Sequence, residues 1–541
     1  MRKVLLAIAI GIGLAVFLTG CSKMQTLDTG KAVFDINISG AKTFGYDITR
    51  VHIEMTHENG LTEGTNLIID SEKTRAYGTV SGLKPGIWSV VAKLYENETK
   101  VGSGSTNVEI KAGKTTEVVM NISFKSETNN GAAAESGIIW QRALGGSNVD
   151  EARSIQQTSD GGYIVAGYTL SNDEYVVGNH GSYDAWVVKL DSSGNIIWKK
   201  ILGGSGADMA YSVQQVNDGG YILAGYTDSN DGDVSGNHGG YDAWIIKLDE
   251  SGNVVWQRTL GGSNSDGAYS IQQTFDGGYI VAGYTSSNDG DVSGTRKGED
   301  FWIVKLSKNG NIVWQNAIEK FGDDEAQSVQ QTNDGGYIVV GYTVSSGEDL
   351  HKGGKVYWVI KLDSSGNTLW KKEFGGTNDD IAQSVQQTND GGYIVAGYTW
   401  SNIGDVSGNH GGWDYWVIKL DENGNLAWQV PLGGSDYDYA YSVQQTSDGG
   451  YIVAGQARSS DKDVSRNHGG YDAWVVKLDK NGNIVWEKAF GGTNYDGAFS
   501  VQQASDGNYV MAGYTSSNDG DVPESHGNYD FWIVKFADNR E

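Results

Sequence analysis

Residues 208–260, DMAYSVQQVNDGGYILAGYTDSNDGDVSGNHGGYDAWIIKLDESGNVVWQRTL, decide how the chain folds. Asp208 to Val216 reads as one strand, Asn217-Asp218-Gly219-Gly220 as a tight turn, and Tyr221 to Thr227 as a second strand. A 13-residue loop of Asp, Ser, Asn, Gly and His follows. Tyr241 to Leu248 and Val254 to Leu260 are two further strands, separated by the turn Ser251-Gly252-Asn253. Four successive strands, A to D, make one blade of a β-propeller.

The unit recurs with a period of 58 residues. Trp186, Trp244, Trp302, Trp358, Trp416, Trp474 and Trp532 mark one position, and Trp140, Trp198, Trp256, Trp314, Trp370, Trp428 and Trp486 mark another. The last unit stops after its strand C at Phe536, while residues 137–144 form an isolated strand D. The two ends therefore complete each other, which closes a ring and removes the edges an open stack would expose. The expected fold is all-β: a seven-bladed propeller of four-stranded blades, with an N-terminal strand closing the last one.

Composition agrees. Of 541 residues 78 are Gly and 3 Pro, with 17 Trp and 29 Tyr, which suits tight turns between short aromatic-rich strands. The formal net charge of -27 repels a polyanion. Nucleic acid is excluded as a partner on that ground, since its binding rests on Lys and Arg neutralising phosphates. Metal cations or cationic partners fit the charge.

Ahead of the repeats, Arg2 and Lys3 precede an apolar run from Val4 to Leu18, too short to span a membrane comfortably and typical of a secretory signal. Leu18-Thr19-Gly20-Cys21 ends it, and Cys21 is the one cysteine of the chain. This tetrapeptide resembles the bacterial lipobox. The resemblance implies cleavage before Cys21, acylation of its thiol by chains of the palmitate type, and export to the cell envelope; Ser22 implies the outer membrane in a double-membrane host. The expected organisation is a signal peptide over 1–20, a lipidated tether over 21–29, a β-sandwich over 30–123, a linker over 124–136 and the propeller over 137–541. Alternating stretches such as Val51-His52-Ile53-Glu54-Met55 and Trp88 to Leu94 make the sandwich segment similar to immunoglobulin-like or fibronectin-like spacer modules.

Units such as Ser442 to Gly455, SVQQTSDGGYIVAG, resemble those of bacterial and archaeal surface lipoproteins built from GGYIVAGYT-type repeats. The resemblance covers residues 137–541. It implies a propeller and transfers no catalytic residue.

Most recurring residues serve the blade. The Asp residues at 160, 218, 276, 334, 390, 448 and 506 suit the A–B turns, and those at 150, 208, 266, 324, 380, 438 and 496 suit a cap where strand D leads into strand A. The B–C loops are more suggestive. Asp231, Asp233, Ser235, Gly236 and Asp242 hold positions one, three, five, six and twelve of an EF-hand-like calcium loop, as do Asp289, Asp291, Ser293, Gly294 and Asp300. Calcium is accordingly the one cofactor expected, against the alternative of a loop knitted by Asx turns. His180, His238, His410, His468 and His526 fall in separate blades and do not suggest a shared metal.

Tyr183, Tyr241, Trp413, Tyr471 and Tyr529 lie where the B–C loop enters strand C, and there a ring could stack on a sugar or anchor a protein. No unique Ser-His-Asp set stands out, because every Ser and Asp has equivalents in the other blades. The sequence thus describes a membrane-anchored monomer that acts as a non-catalytic binding or display scaffold for a protein or glycan. A propeller hydrolase or oxidoreductase acting on glycans, or a purely structural envelope protein, are the alternatives.

Overall fold

The computed structural model describes residues 30–37, 48–57, 61–69, 75–96, 99–112, 114–118, 123–124, 137–173, 176–293, 298–320, 322–344, 354–523 and 525–538. Cys21 with its signal sequence, most of the 124–136 linker and Gly294 lie outside them. The chain divides into two compact units, residues 1–129 and 130–541. Among the described residues every regular element is a strand, and no helix is long and apolar enough to cross a membrane.

The first unit contains β1 (Gly30–Asn37), β2 (Arg50–His57), β3 (Thr62–Ile69), β4 (Arg75–Leu83), β5 (Gly86–Glu96), β6 (Thr99–Ile110), β7 (Thr115–Val118) and β8 (Ser123–Phe124). Period-two alternation puts Val51, Ile53 and Met55 of β2 inside, against Trp88, Val90, Ala92 and Leu94 of β5 and Phe34 and Ile36 of β1. The two separate sheets of an immunoglobulin-like sandwich are not what results. All eight strands join in one sheet, in the order β7-β1-β4-β3-β2-β5-β6-β8. The reason is β3, which pairs with β2 along Val51↔Leu67 to Thr56↔Thr62 and with β4 only through Ile68↔Tyr77 and Ile69↔Ala76. The sheet therefore turns a corner there and curls over a single core.

The second unit is the seven-bladed propeller. Its entering strand β9 (Ile138–Leu144) is followed by blade one: β10 (Asp150–Gln157), β11 (Tyr163–Thr169), β12 (Asp184–Leu190) and β13 (Ile196–Leu202). Six blades are sheets of four consecutive antiparallel strands, and the seventh joins residues 496–503, 509–515 and 530–536 to β9. The closure has a regular register: Phe531↔Leu144, Trp532↔Ala143, Ile533↔Arg142, Val534↔Gln141 and Lys535↔Trp140. Blade two follows the sequence reading to within a residue, as Asp208–Gln215, Tyr221–Thr227, Asp242–Leu248 and Val254–Leu260.

Strands B and C are buried along their whole length in blade one and nearly so in the others, because a neighbouring blade covers each face, and they read as continuous apolar runs rather than alternating ones. Each core cluster spans two blades. Trp244 and Leu223 of blade two pack with Ile164 and Val187 of blade one, and Trp186 packs with Val510, Phe531 and Ile533 of the last blade. The second Trp series works at the rim. A Cβ on Gly194 would stand 2.7 Å from the Trp140 ring, so the glycine of the next C–D turn makes room for the indole.

The A–B turn aspartates have a second task that sequence alone did not disclose. Lys189 of β12 is buried, with Nζ 2.9 Å from Asp160 and donating to Leu190 O at 3.0 Å. The same Lys–Asp pair recurs in the other six blades, as Lys247–Asp218, Lys305–Asp276, Lys361–Asp334, Lys419–Asp390, Lys477–Asp448 and Lys535–Asp506. Hydrogen bonds from Thr158, Lys189 and the Gly162 amide outweigh partial burial and hold the Asp160 carboxyl down at about 2.

Candidate functional site

The D–A turns and B–C loops meet at the junctions between blades, and the residues there are mostly occupied with one another. Asp208 is fully buried. It accepts from the Thr227 and Ser229 hydroxyls and the Gly204 amide, and Asp150, Asp266, Asp380 and Asp496 repeat the set with their own Thr and Ser. Burial, only partly offset by these donors, lifts Asp380 to about 6. On the facing strand C, Asp184 Oδ2 accepts from both the Nδ1 and the backbone amide of His180. His238, His410, His468 and His526 make the same pair of bonds, each within its own blade. Burial, reinforced by Asp438, Asp463 and Asp461 nearby, lifts Asp414 to about 8.

The calcium pattern is divided by this arrangement. Asp231 Oδ1 accepts from Ser205 N at 2.7 Å and Asp233 Oδ2 from Gly203 N at 3.4 Å, against the turn joining blades one and two. Asp242 instead pairs with His238 and lies by Gly261, at the junction of blades two and three. Ser235 accepts from Gln257 and Thr259. In blade three Asp289 Oδ1 accepts from Ser263 N, Ser293 Oγ accepts from Gln315, and Asp300 is buried at the start of strand C. Among the described residues no three His, Cys, Asp or Glu side chains are placed to hold a metal ion.

Around the axis the seven strand A segments stand side by side and enclose a cavity of about 240 Å³, lined by the Val/Ile and Gln residues from Ile155 and Gln156 to Val501 and Gln502. Those glutamines stitch blades together. Gln156 Oε1 accepts from Gln215 N at 2.6 Å, and Gln502 Oε1 accepts from Gln157 N at 2.7 Å across the closing seam.

At the loop end of strand A a bulge between Ala152 and Ser154 leaves Arg153 without a cross-strand partner, and the same bulge recurs in every blade. The residues it presents form an inner ring: Arg153, Tyr211, Tyr269, Gln327, Gln383, Tyr441 and Phe499. Arg153 Cζ sits 3.9 Å from the centre of the Phe499 ring, and the guanidinium donates to Glu151 at 2.6 Å and to the Tyr168 hydroxyl at 2.5 Å. Tyr211 packs against Tyr226 and Tyr269, and Tyr441 against Phe499.

The five loop-end aromatics stand behind this ring without converging on one point. Tyr183, Tyr241, Trp413 and Tyr529 each meet the strand B tyrosine of their own blade edge-on, at 5.4, 5.0, 5.1 and 5.0 Å. In blade six that tyrosine is replaced by Gln456, and Tyr471 packs on Tyr439 and Tyr495 instead.

Three sectors can be told apart around the mouth. Arg153 and its rings occupy blades seven to two. In blades three and four Lys355 Nζ sits 4.0 Å over the Tyr342 ring, Tyr342 donates to Glu325, and burial together with Glu325 and Asp323 lifts Glu299 to about 7. In blades five to seven a run of adjoining rings reaches solvent: Trp400 and Trp413 tilted at 5.9 Å and 31°, Trp413 and Tyr439 at 36°, Tyr471 and Tyr495 at 37°, and Tyr437 stacked on Tyr439 at 15°. Trp400 is 50 % exposed, Tyr495 49 % and Tyr437 38 %.

Sequence reasoning passed over the inner ring because a bulge residue falls out of the period-two pattern. Its signal was present all the same, in a position that reads Arg, Tyr, Tyr, Gln, Gln, Tyr, Phe in a chain whose blades otherwise repeat closely.

Comparison with known proteins adds the following. No protein-family model matches the chain. Over 202 residues, 34 % of this chain, it is 26 % identical to the regulatory protein FlaEY of Caulobacter vibrioides, of whose length it spans 20 %. Among solved structures it is similar to the Pan2 WD40 domain of Neurospora crassa, at 11 % identity and a TM-score of 0.42 over 75 % of this chain and 97 % of that one. It is also similar to a protein of unknown function from Dyadobacter fermentans, at 11 % identity and a TM-score of 0.38 over 74 % and 98 %.

Proposed function

We propose that the chain is an exported lipoprotein, acylated at Cys21, whose propeller binds a partner through the mouth of its loop face and does no chemistry on it. The lipobox-like Leu18-Thr19-Gly20-Cys21 and the resemblance of the repeats to surface lipoproteins support the anchor. The curled N-terminal sheet then serves as a spacer between lipid and ring.

One observation carries the binding reading. Positions that a blade needs for itself, the buried Asp, Lys, Trp and Gln, are nearly invariant among the seven copies, whereas those facing the mouth differ from blade to blade. They read Arg153, Tyr211, Tyr269, Gln327, Gln383, Tyr441, Phe499 in the inner ring and Tyr183, Tyr241, Glu299, Lys355, Trp413, Tyr471, Tyr529 behind it. A scaffold needs only symmetry, so variation gathered where all seven blades share one mouth is what recognition of a particular partner would leave.

The reading is tested by comparing envelope material retained by the chain with that retained by two variants. One is changed at the mouth (Tyr241→Ala with Tyr529→Ala) and the other on the opposite face (Ser193→Lys with Ser251→Lys). Loss in the first variant alone supports it, and equal retention by both overturns it. Mass analysis of the N-terminal peptide tests acylation at Cys21 separately.

A further inference from the structure

The axial cavity has a wall of one chemical kind. Its lining is Val or Ile and Gln from every blade, around about 240 Å³, and includes neither an acidic nor a basic side chain, in a chain with 67 Asp and Glu. Gln156 and its equivalents are the penultimate residues of strand A, next to the A–B turns. The cavity therefore lies toward the face opposite the mouth.

All seven of these glutamines have their oxygen engaged. Oε1 of each accepts from the backbone N of a glutamine in the following blade, as Gln272 Oε1 does from Gln331 N at 2.6 Å and Gln444 Oε1 from Gln503 N at 2.7 Å. A backbone N–H meets only an acceptor, so this bond fixes which end of the amide is oxygen and leaves over the two N–H groups on the nitrogen. Among the described residues none of the seven Nε2 atoms has an acceptor. The next glutamine along the strand shows the contrast. Gln215 donates from Nε2 to Gly219 O at 3.2 Å and accepts at Oε1 from Ser159 N at 2.7 Å, so both ends of its amide are used.

Seven amides with unused donors, set around one axis and held by the seams, form a preorganised ring for an atom that accepts from several directions. A charged acceptor gains most there, because a hydrogen bond to an ionised group is roughly twice as strong as a neutral one, and no carboxylate in the lining repels it. Water takes about 30 Å³ per molecule in the liquid, so the cavity has room for a small polyatomic ion with part of its hydration shell. The net charge of -27 reaches such an ion only through screening over about 8 Å, whereas the donors meet it in contact. We propose that the axial cavity binds a small oxyanion of the sulfate or carboxylate type, held by Nε2 donors from several blades. The site is separate from the mouth and does not depend on what the mouth binds.

The test titrates the full chain by calorimetry, at constant ionic strength, with sodium sulfate and with dimethyl sulfone, its uncharged isostere. Sulfate should bind once per chain and the sulfone should not bind. Gln330→Glu and Gln444→Glu keep Oε1 for the seam and exchange the N–H groups for a second acceptor. Each should weaken sulfate by about tenfold or more, the scale of a hydrogen bond to a charged group. Asn333→Asp adds the same charge at an exposed A–B turn outside the cavity and should leave the affinity unchanged. Melting temperatures close to that of the parent verify that the variants fold. Absence of sulfate binding would overturn the inference, and full affinity in both Gln variants would place the ion elsewhere and do the same. An equal loss in Asn333→Asp and Gln330→Glu would reduce the effect to diffuse repulsion and overturn it too. Sulfone binding as tight as that of sulfate would overturn the anionic class.

Discussion

Truncating Trp140 asks whether the seam that closes the ring is built like the other six. Trp140 belongs to β9 at the start of the propeller and sits half-buried across the seam, edge-on to Tyr163 at 5.6 Å and against Gly194 of blade one. Replacing a fully buried Trp by Ala costs about 3–5 kcal/mol. The indole is only partly buried, so Trp140→Ala should cost less, about 2–3 kcal/mol by the same scale. An internal control has the same surroundings. Trp256 lies edge-on to Tyr279 at 5.9 Å and against Gly310, at a seam between two consecutive blades. Urea unfolding followed by near-ultraviolet circular dichroism should therefore give equal losses for Trp140→Ala and Trp256→Ala, with unchanged m-values. If Trp256→Ala is destabilising while Trp140→Ala unfolds like the parent, β9 does not occupy the seam and the argument fails.

Other outcomes follow from the junctions. A Cβ at Gly203 would stand 2.7 Å from both Asp184 Oδ1 and Asp208 Oδ2, so Gly203→Ala must push two buried carboxylates apart and should lower stability by about 2–3 kcal/mol in the same urea assay. The pH profile has two opposed arms. Burial raises Asp242 and Asp380 to about 6 and Asp414 to about 8, so the folded chain keeps protons the unfolded chain has released, and stability should fall as pH rises from about 4 to 8. Asp160, Asp276, Asp334 and Asp448 are held near 2. Their contribution is complete above about 4 and lost toward pH 2, which places the highest melting temperature near pH 4–5; a maximum at pH 8 would refute the assignment. Titration with millimolar calcium should leave the melting temperature unchanged, since Asp231 and Asp242 serve different junctions, and a clear rise would show that the loops regroup around the ion.

The propeller was legible in the sequence because each of its demands repeats: two Trp series, the Asp-Gly turns and the orphan strand 137–144. Asp231, Asp233 and Asp242 have the spacing of a calcium loop along the chain, and the fold sends their carboxylates to two different blade junctions, which spacing within one unit does not reveal. The Lys189–Asp160 pair escaped for the same reason, being set by the turn's packing against strand C. In the N-terminal unit, alternation located β2 and β5 correctly, but the curl of the sheet depends on how β3 divides its pairing between β2 and β4, which no residue pattern records. The mouth went unread where it mattered most, at the bulge holding Arg153, since period-two reasoning discards an unpaired residue.

Closure of the ring brings the seven sectors to one mouth, and a cross-link tests it most directly. Gln141 and Val534 face each other in antiparallel register, at a Cα separation of about 4.5–5.5 Å that a disulfide can span. In a chain carrying Cys21→Ser, Gln141→Cys and Val534→Cys, mild oxidation should give a quantitative intramolecular disulfide that joins the two ends of the propeller. Free thiols, or disulfides only between chains, would mean the ends are apart and the shared mouth does not exist.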